Sequence, residues 1–234
     1  MLWKSALFTL VLVAGASAGA FAQDTQDPET TRVPEEQVMD LAETAMLDLQ
    51  TTWQQLLPEA YQPTSVVLYR DTLEGSCGDT TSLAGGPFYC SSDASTYMDL
   101  GFVHDLKSAF PTVADFGEAY IVGHEMGHHI QKLLGAQGAA SDLELQADCY
   151  AGVWAAVASQ AGRADQGLIQ LDPAQADDAL NAVAATGNAR FSVMSTGAVA
   201  PETFTHAAPE QRAASFHAGF DGGVAACSIQ STAR

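Results

Sequence analysis

Three side chains in the run Gly123-His124-Glu125-Met126-Gly127-His128-His129 are spaced for metal chemistry. His124 and His128 are four residues apart, so on a helix their imidazoles fall on one face, about one turn apart, and both can reach one ion. Glu125, directly after the first histidine, lies beside that ion, where a carboxylate can take a proton from metal-bound water. HExxH alone arises by chance in helices rich in Glu and His. Here a second signal follows, because Glu144-Leu145-Gln146-Ala147-Asp148 begins 16 residues after His128 in another helix-like stretch. A helix, a turn and a return helix of that spacing bring Glu144 to the open side of the metal. Two His and one Glu are the ligand set of catalytic zinc sites that keep a fourth position for water. Asp148, one helical turn beyond Glu144, is placed to accept the N–H of a ligand histidine and orient it.

A hydrolytic site of this kind needs one more donor, for the oxyanion of a tetrahedral intermediate. His206 is the first candidate, in a loop-like stretch before a helix, and Arg212 the next; the bland reading of His206 is a surface or capping residue. His129 points about 100° away from His128 on a helix and reads as packing rather than ligation. His104 and His217 carry no spacing signal. Gly123 and Gly127 each cost about 1 kcal/mol inside a helix, which close approach of a neighbouring helix or substrate would explain. Residues 97–100 could form an edge strand that binds a peptide by backbone pairing; the bland reading is an ordinary core strand. Tyr120 and Tyr150 could touch substrate, but aromatic residues on such helices usually pack in the core.

The elements that must position these groups follow from periodicity. Val38, Leu41, Met46, Leu49, Trp53 and Leu56 recur at helical spacing and predict a helix over 36–57, between Pro34 and Pro58. Strands are expected at 65–70, 88–90 and 96–100. Helices then follow at 103–110, 112–134, 140–161, 173–185 and 209–220. Gly135 is a C-cap for the second of these, and Asp172 with Pro173 a start signal for the fourth. A few strands followed by packed helices predict an α+β fold, mostly helical, with a small sheet above the metal helix.

Residues 1–22 have the parts of a signal peptide: Lys4, an apolar stretch over 6–13 and Ala20-Phe21-Ala22 as a cleavage site. An uncleaved N-terminal anchor is the alternative, since 6–22 carries no charge. Residues 23–35 read as a disordered acidic linker, and 36–234 as one domain. Loss of Lys4 with the leader would take the formal charge from −19 to −20. Such acidity argues against nucleic acid and anionic membrane surfaces as partners. No stable membrane contact is expected unless the leader stays attached. The localisation expected is periplasmic or secreted. Four cysteines in an exported chain suggest disulfides. Cys77 and Cys90 flank a Gly-rich loop and favour a local bridge, which leaves Cys149 with Cys227; alternatively Cys149 is a small buried residue.

GHEMGHHIQ, LELQADCYAGVWA, GPFYCSSD and FTHAAPEQR resemble the bacterial neutral zinc metallopeptidase family, and the HExxH plus ExxxD pairing resembles the wider gluzincin type of protease. The resemblance runs from about Val67 to Cys227. It implies a zincin-like fold, one Zn2+ held by His124, His128 and Glu144, and Glu125 as the base. The segments after Gly187 and His206 depart from the family's usual pattern, and neither departure touches an expected ligand. The function so implied is a zinc-dependent peptidase of the cell envelope acting on peptide or protein substrates. Two other readings compete with it. One is a catalytically silent scaffold stabilised by zinc, against which the intact Glu125 counts. The other is a metal-dependent amidase of non-peptide substrates, which the same chemistry permits.

Overall fold

The computed structural model describes residues 35–70, 72–74, 76–77, 80–81, 86–194 and 208–228. The leader, nearly all of the acidic linker and His206 lie outside them. The described part is α+β and mostly helical. Helix α1 spans Glu35–Leu56 and buries Val38, Ala42, Ala45, Met46, Leu49 and Trp53, the stripe that its periodicity demands.

A three-stranded sheet follows, formed by β1 (Ser65–Tyr69), β4 (Phe88–Cys90) and β5 (Ser95–Asp99) in the order β1-β5-β4. β5 runs parallel to β1 and antiparallel to β4. Two short strands, β2 (Thr72–Leu73) and β3 (Thr80–Thr81), form a separate hairpin. The sheet alternates as pleating requires. Val66, Leu68 and Met98 pack into the main helical core, while Val67, Tyr69, Phe88, Cys90 and Tyr97 form a smaller cluster on the other face.

The expected edge strand at 97–100 is corrected here. β5 is the central strand and buried along its whole length, and the edge beside the metal helix is β4. β1 occupies the far side of β5, a pairing across 30 residues that no local pattern encodes. Leu100 is not in the strand at all. Asp99 accepts the Gly101 amide at 2.8 Å and caps α2 (Leu100–Ala109), so the chain passes from strand to helix without a loop.

Helix α3 (Ala114–Leu134) carries the HExxH run and ends at Gly135, whose φ of 65° is the left-handed cap conformation. Helix α4 (Ala140–Ala158) returns alongside it. A Cβ on Gly127 would stand 2.7 Å from both the Cα and the carbonyl oxygen of Ala147, so the two helices meet backbone to backbone at this point. Beyond α4, Asp172 accepts from the Ala174 amide and starts a 3-10 turn that leads into α5 (Ala176–Met194). α5 continues well past residue 185. Gly187 costs only about 1 kcal/mol within a helix, and the next proline is Pro201. Helix α6 (Pro209–Gly222) begins with Pro209, and Gln211 accepts the Ala208 amide.

Two disulfides form, Cys77–Cys90 and Cys149–Cys227, with Cα separations of 5.7 and 5.5 Å. One buried polar cluster was not foreseen. Asp48 of α1 is fully buried and accepts from Arg163, from Trp154 Nε1 and from the Ile169 amide, tying α1 to α4 and the segment after it. No helix among the described residues is long and apolar enough to cross a membrane.

Candidate metal centre

The four-residue spacing on α3 sets the rings of His124 and His128 edge to face with centroids 4.8 Å apart. From α4, Glu144 reaches between them, with Oε2 at 3.3 Å from His124 Nε2 and Oε1 at 3.5 Å from His128 Nε2. One ligand atom from each of the three lies within 4.8 Å of the others.

The donor chemistry fits a metal ion, because both rings are held from behind. His124 Nδ1 donates to Asp148 Oδ1 at 2.7 Å, and His128 Nδ1 donates to Gln131 Oε1 at 2.9 Å. Each ring therefore turns Nε2 towards Glu144, as ligating imidazoles do when the other nitrogen is hydrogen-bonded. Gln131 escaped the sequence reading, although its place three residues after His128 on one helix face was a signal. Its amide nitrogen also donates to the Leu143 carbonyl at 2.6 Å, which latches α3 to the start of α4 next to Glu144.

Asp148 is fully buried, and it accepts from Tyr120 at 2.5 Å and from Arg212 through both oxygens at 2.8 Å. Arg212, the second candidate for an oxyanion donor, thus directs its Nε and Nη2 to Asp148 and Tyr120. Tyr120 is likewise a partner of Asp148, while Tyr150 packs edge-on against Trp53 in the core.

The electrostatics separate the two histidines. Burial disfavours the charge on His124, but the Asp148 carboxylate and its hydrogen bond outweigh that and raise its pKa to about 10. Burial and the charge of His124 lower His128 to about 4. Burial also opposes ionisation of Asp148, yet Arg212 and His124 hold it well below the usual carboxylate range. Glu144 is lowered too, as His124 and His128 overcome its burial. Without metal, His124 therefore carries the proton and faces an ionised Glu144. Burial raises Glu125 to about 7, although the charge of His124 and a hydrogen bond from the Tyr89 amide pull the other way.

That amide belongs to the edge strand. Pro87, Phe88 and Tyr89 line a cleft of about 60 Å³ together with His124, Glu125, His128 and Glu144. The backbone of Tyr89 thus lies beside the Glu125 carboxyl. His129 fixes this strand over α3. Its Nε2–H donates to the Gln62 carbonyl at 2.7 Å, and its Nδ1 accepts the Tyr89 hydroxyl at 2.8 Å. Of the other histidines, His217 pairs with Asp177 at the surface, and His104 Nδ1 is buried without a hydrogen-bond partner among the described residues.

Comparison with known proteins identifies the family. The chain matches the family described as "Putative neutral zinc metallopeptidase" over residues 5–229. It is 33% identical to the uncharacterized protein YpfJ of Escherichia coli K12, over 93% of this chain and 82% of that protein. It is 40% identical to the uncharacterized protein Mb2605 of Mycobacterium bovis, over 73% of this chain and 63% of that protein. No solved structure matches. With a family match that spans almost the whole sequence, the chain belongs to the neutral zinc metallopeptidase family.

Proposed function

We propose that this protein is a zinc-dependent peptidase of the cell envelope. The observation that carries the reading is the placement of Glu125. It lies in the same cleft as three convergent ligand atoms, under an edge strand, with burial holding its pKa to about 7. His124, His128 and Glu144 would hold Zn2+, which when bound polarises a carbonyl and acidifies water. Glu125 takes the proton of the attacking water and delivers it to the leaving amine; a carboxyl poised near neutrality suits both transfers. The Tyr89 amide fixes the carboxylate of Glu125. β4, at the edge of the sheet among the described residues, offers an extended peptide a strand to lie against. The oxyanion donor falls to His206, just ahead of α6.

Export rests on the leader-like residues 1–22 and on two disulfides, which persist in oxidising compartments.

The test pairs two variants with metal analysis. Wild type is expected to hold about one zinc per chain, and Glu144→Ala to lose most of it. Glu125→Gln should keep the zinc and lose hydrolysis of casein or a peptide library by at least about 100-fold. Undiminished hydrolysis in Glu125→Gln would overturn the proposal.

A further inference from the structure

Arg212 is 64 residues from Asp148 in sequence, yet its guanidinium lies directly behind His124. Nε donates to Asp148 Oδ2 and Nη2 to Asp148 Oδ1, each at 2.8 Å, so one planar fork grips both carboxylate oxygens. Nη2 also donates to the Tyr120 oxygen at 2.9 Å, and that hydroxyl donates to Asp148 Oδ1. The approach of Nη2 to His124 Nδ1 at 3.2 Å is a contact and not a hydrogen bond, since Nδ1–H points at Asp148. Among the hydrogen bonds of the described residues, Oδ2 of Asp148 has Arg212 as its donor, while Oδ1 is shared by three groups. Removing Arg212 would leave the carboxylate tethered through one oxygen and free to turn.

The fold keeps the fork in place. α6 lies against α4 at backbone contact: a Cβ on Gly152 would meet the Phe216 carbonyl oxygen at 1.9 Å, and one on Gly219 the Cys149 carbonyl oxygen at 1.9 Å. The Cys149–Cys227 bridge closes the same pair of elements just beyond α6. The helix that carries Arg212 therefore cannot drift from the helix that carries Asp148.

We infer that Arg212 is a positioning residue of the metal centre: its guanidinium fork fixes Asp148, and Asp148 in turn fixes the His124 ring with Nε2 towards Glu144. The inference rests on the reading of His124, His128 and Glu144 as zinc ligands. It makes Arg212 act on the metal through another side chain, without touching substrate. Arg212→Lys is the discriminating change, because an ammonium keeps the charge but cannot form the fork.

The experiment measures zinc affinity by competition with a chromophoric chelator for wild type, Arg212→Lys, Arg212→Met, Asp148→Asn and Arg212→Met combined with Asp148→Asn. Loss of a group that orients a ligand weakens metal binding about 10–100-fold, and both Arg212 variants are expected in that range. The double variant should bind zinc within about twofold of Asp148→Asn alone, since the two residues act in series. The d–d spectrum of bound Co2+ should change in Arg212→Lys as the His124 ring reorients. Unchanged zinc affinity in Arg212→Lys, or multiplying effects in the double variant, would overturn the inference. So would failure of both Arg212 variants to fold with zinc present, which would make Arg212 a residue of the fold alone. A wild type that binds no zinc would instead bring down the metal-site reading on which the inference stands.

Discussion

At the scale of single residues, the site is defined by which nitrogen of each imidazole is occupied. Asp148 and Gln131 take the two Nδ1 atoms, and the two Nε2 atoms converge on Glu144. The metal-free site nevertheless holds a proton at His124, whose pKa is raised to about 10. A zinc ion needs the lone pair that this proton occupies, so binding must expel it. The sign follows: zinc affinity rises with pH below about 10 and levels off above it, because the competing proton is then already gone. At pH 7 about one proton should be released per zinc, plus a fraction from Glu125, whose ionised form the cation favours. Calorimetry in buffers of different ionisation enthalpy reads this number directly; zero protons released would contradict the charge state assigned to His124. The approach of His124, His128 and Glu144 was legible in the sequence, because helical spacing brings i and i+4 together and a helix, turn and return helix of that length bring Glu144 back beside them. Gln131 was equally local but was passed over. Arg212 could be noticed but not placed, because its partner is 64 residues away and only the packing of α6 on α4 joins them.

At the scale of elements, the helix pair α3 and α4 does most of the positioning, and Gly127 sets its spacing. Any side chain there would push against the backbone of Ala147, one residue before Asp148. Gly127→Ala is expected to destabilise the protein by about 1–3 kcal/mol, as overpacking does. It should also weaken zinc, because the helices that bear the histidines and Glu144 must separate. Gly135→Ala is the control. Its φ of 65° disfavours an L-residue but nothing lies within 4 Å, so stability should fall by about 1 kcal/mol with zinc affinity unchanged. Urea unfolding of the metal-free proteins beside zinc titrations separates the two effects. Most helices were legible from periodicity, with ends displaced by a few residues except in α5, which runs on past 185 to Met194. The central place of β5 was not, because a strand's neighbours are a matter of long-range pairing. That correction moved the candidate peptide-binding edge to β4, whose three residues were expected as a strand but whose place at the edge was not.

At the scale of the whole molecule, the two disulfides divide the labour unequally. Cys149–Cys227 closes 78 residues and Cys77–Cys90 closes 13. By loop-closure entropy the long bridge restricts the unfolded chain more, by roughly 4–5 kcal/mol against about 3 for the short one. Replacing Cys149 and Cys227 together by Ala should therefore lower stability more than replacing Cys77 and Cys90, as denaturant midpoints would show; the reverse order would argue that native-state packing outweighs chain entropy here. The latch from Gln131 to the Leu143 carbonyl has a consequence for how the molecule is made. His124, His128, Glu144 and Asp148 all lie on one helical hairpin, and contacts this close in sequence form early in folding. The hairpin can thus present its ligand atoms as soon as α4 has been delivered, before α6 and the long disulfide are in place. A metal ion captured at that stage would act as a template against which the C-terminal helix docks, so zinc supply during folding would govern the rate of maturation as well as the chemistry that follows.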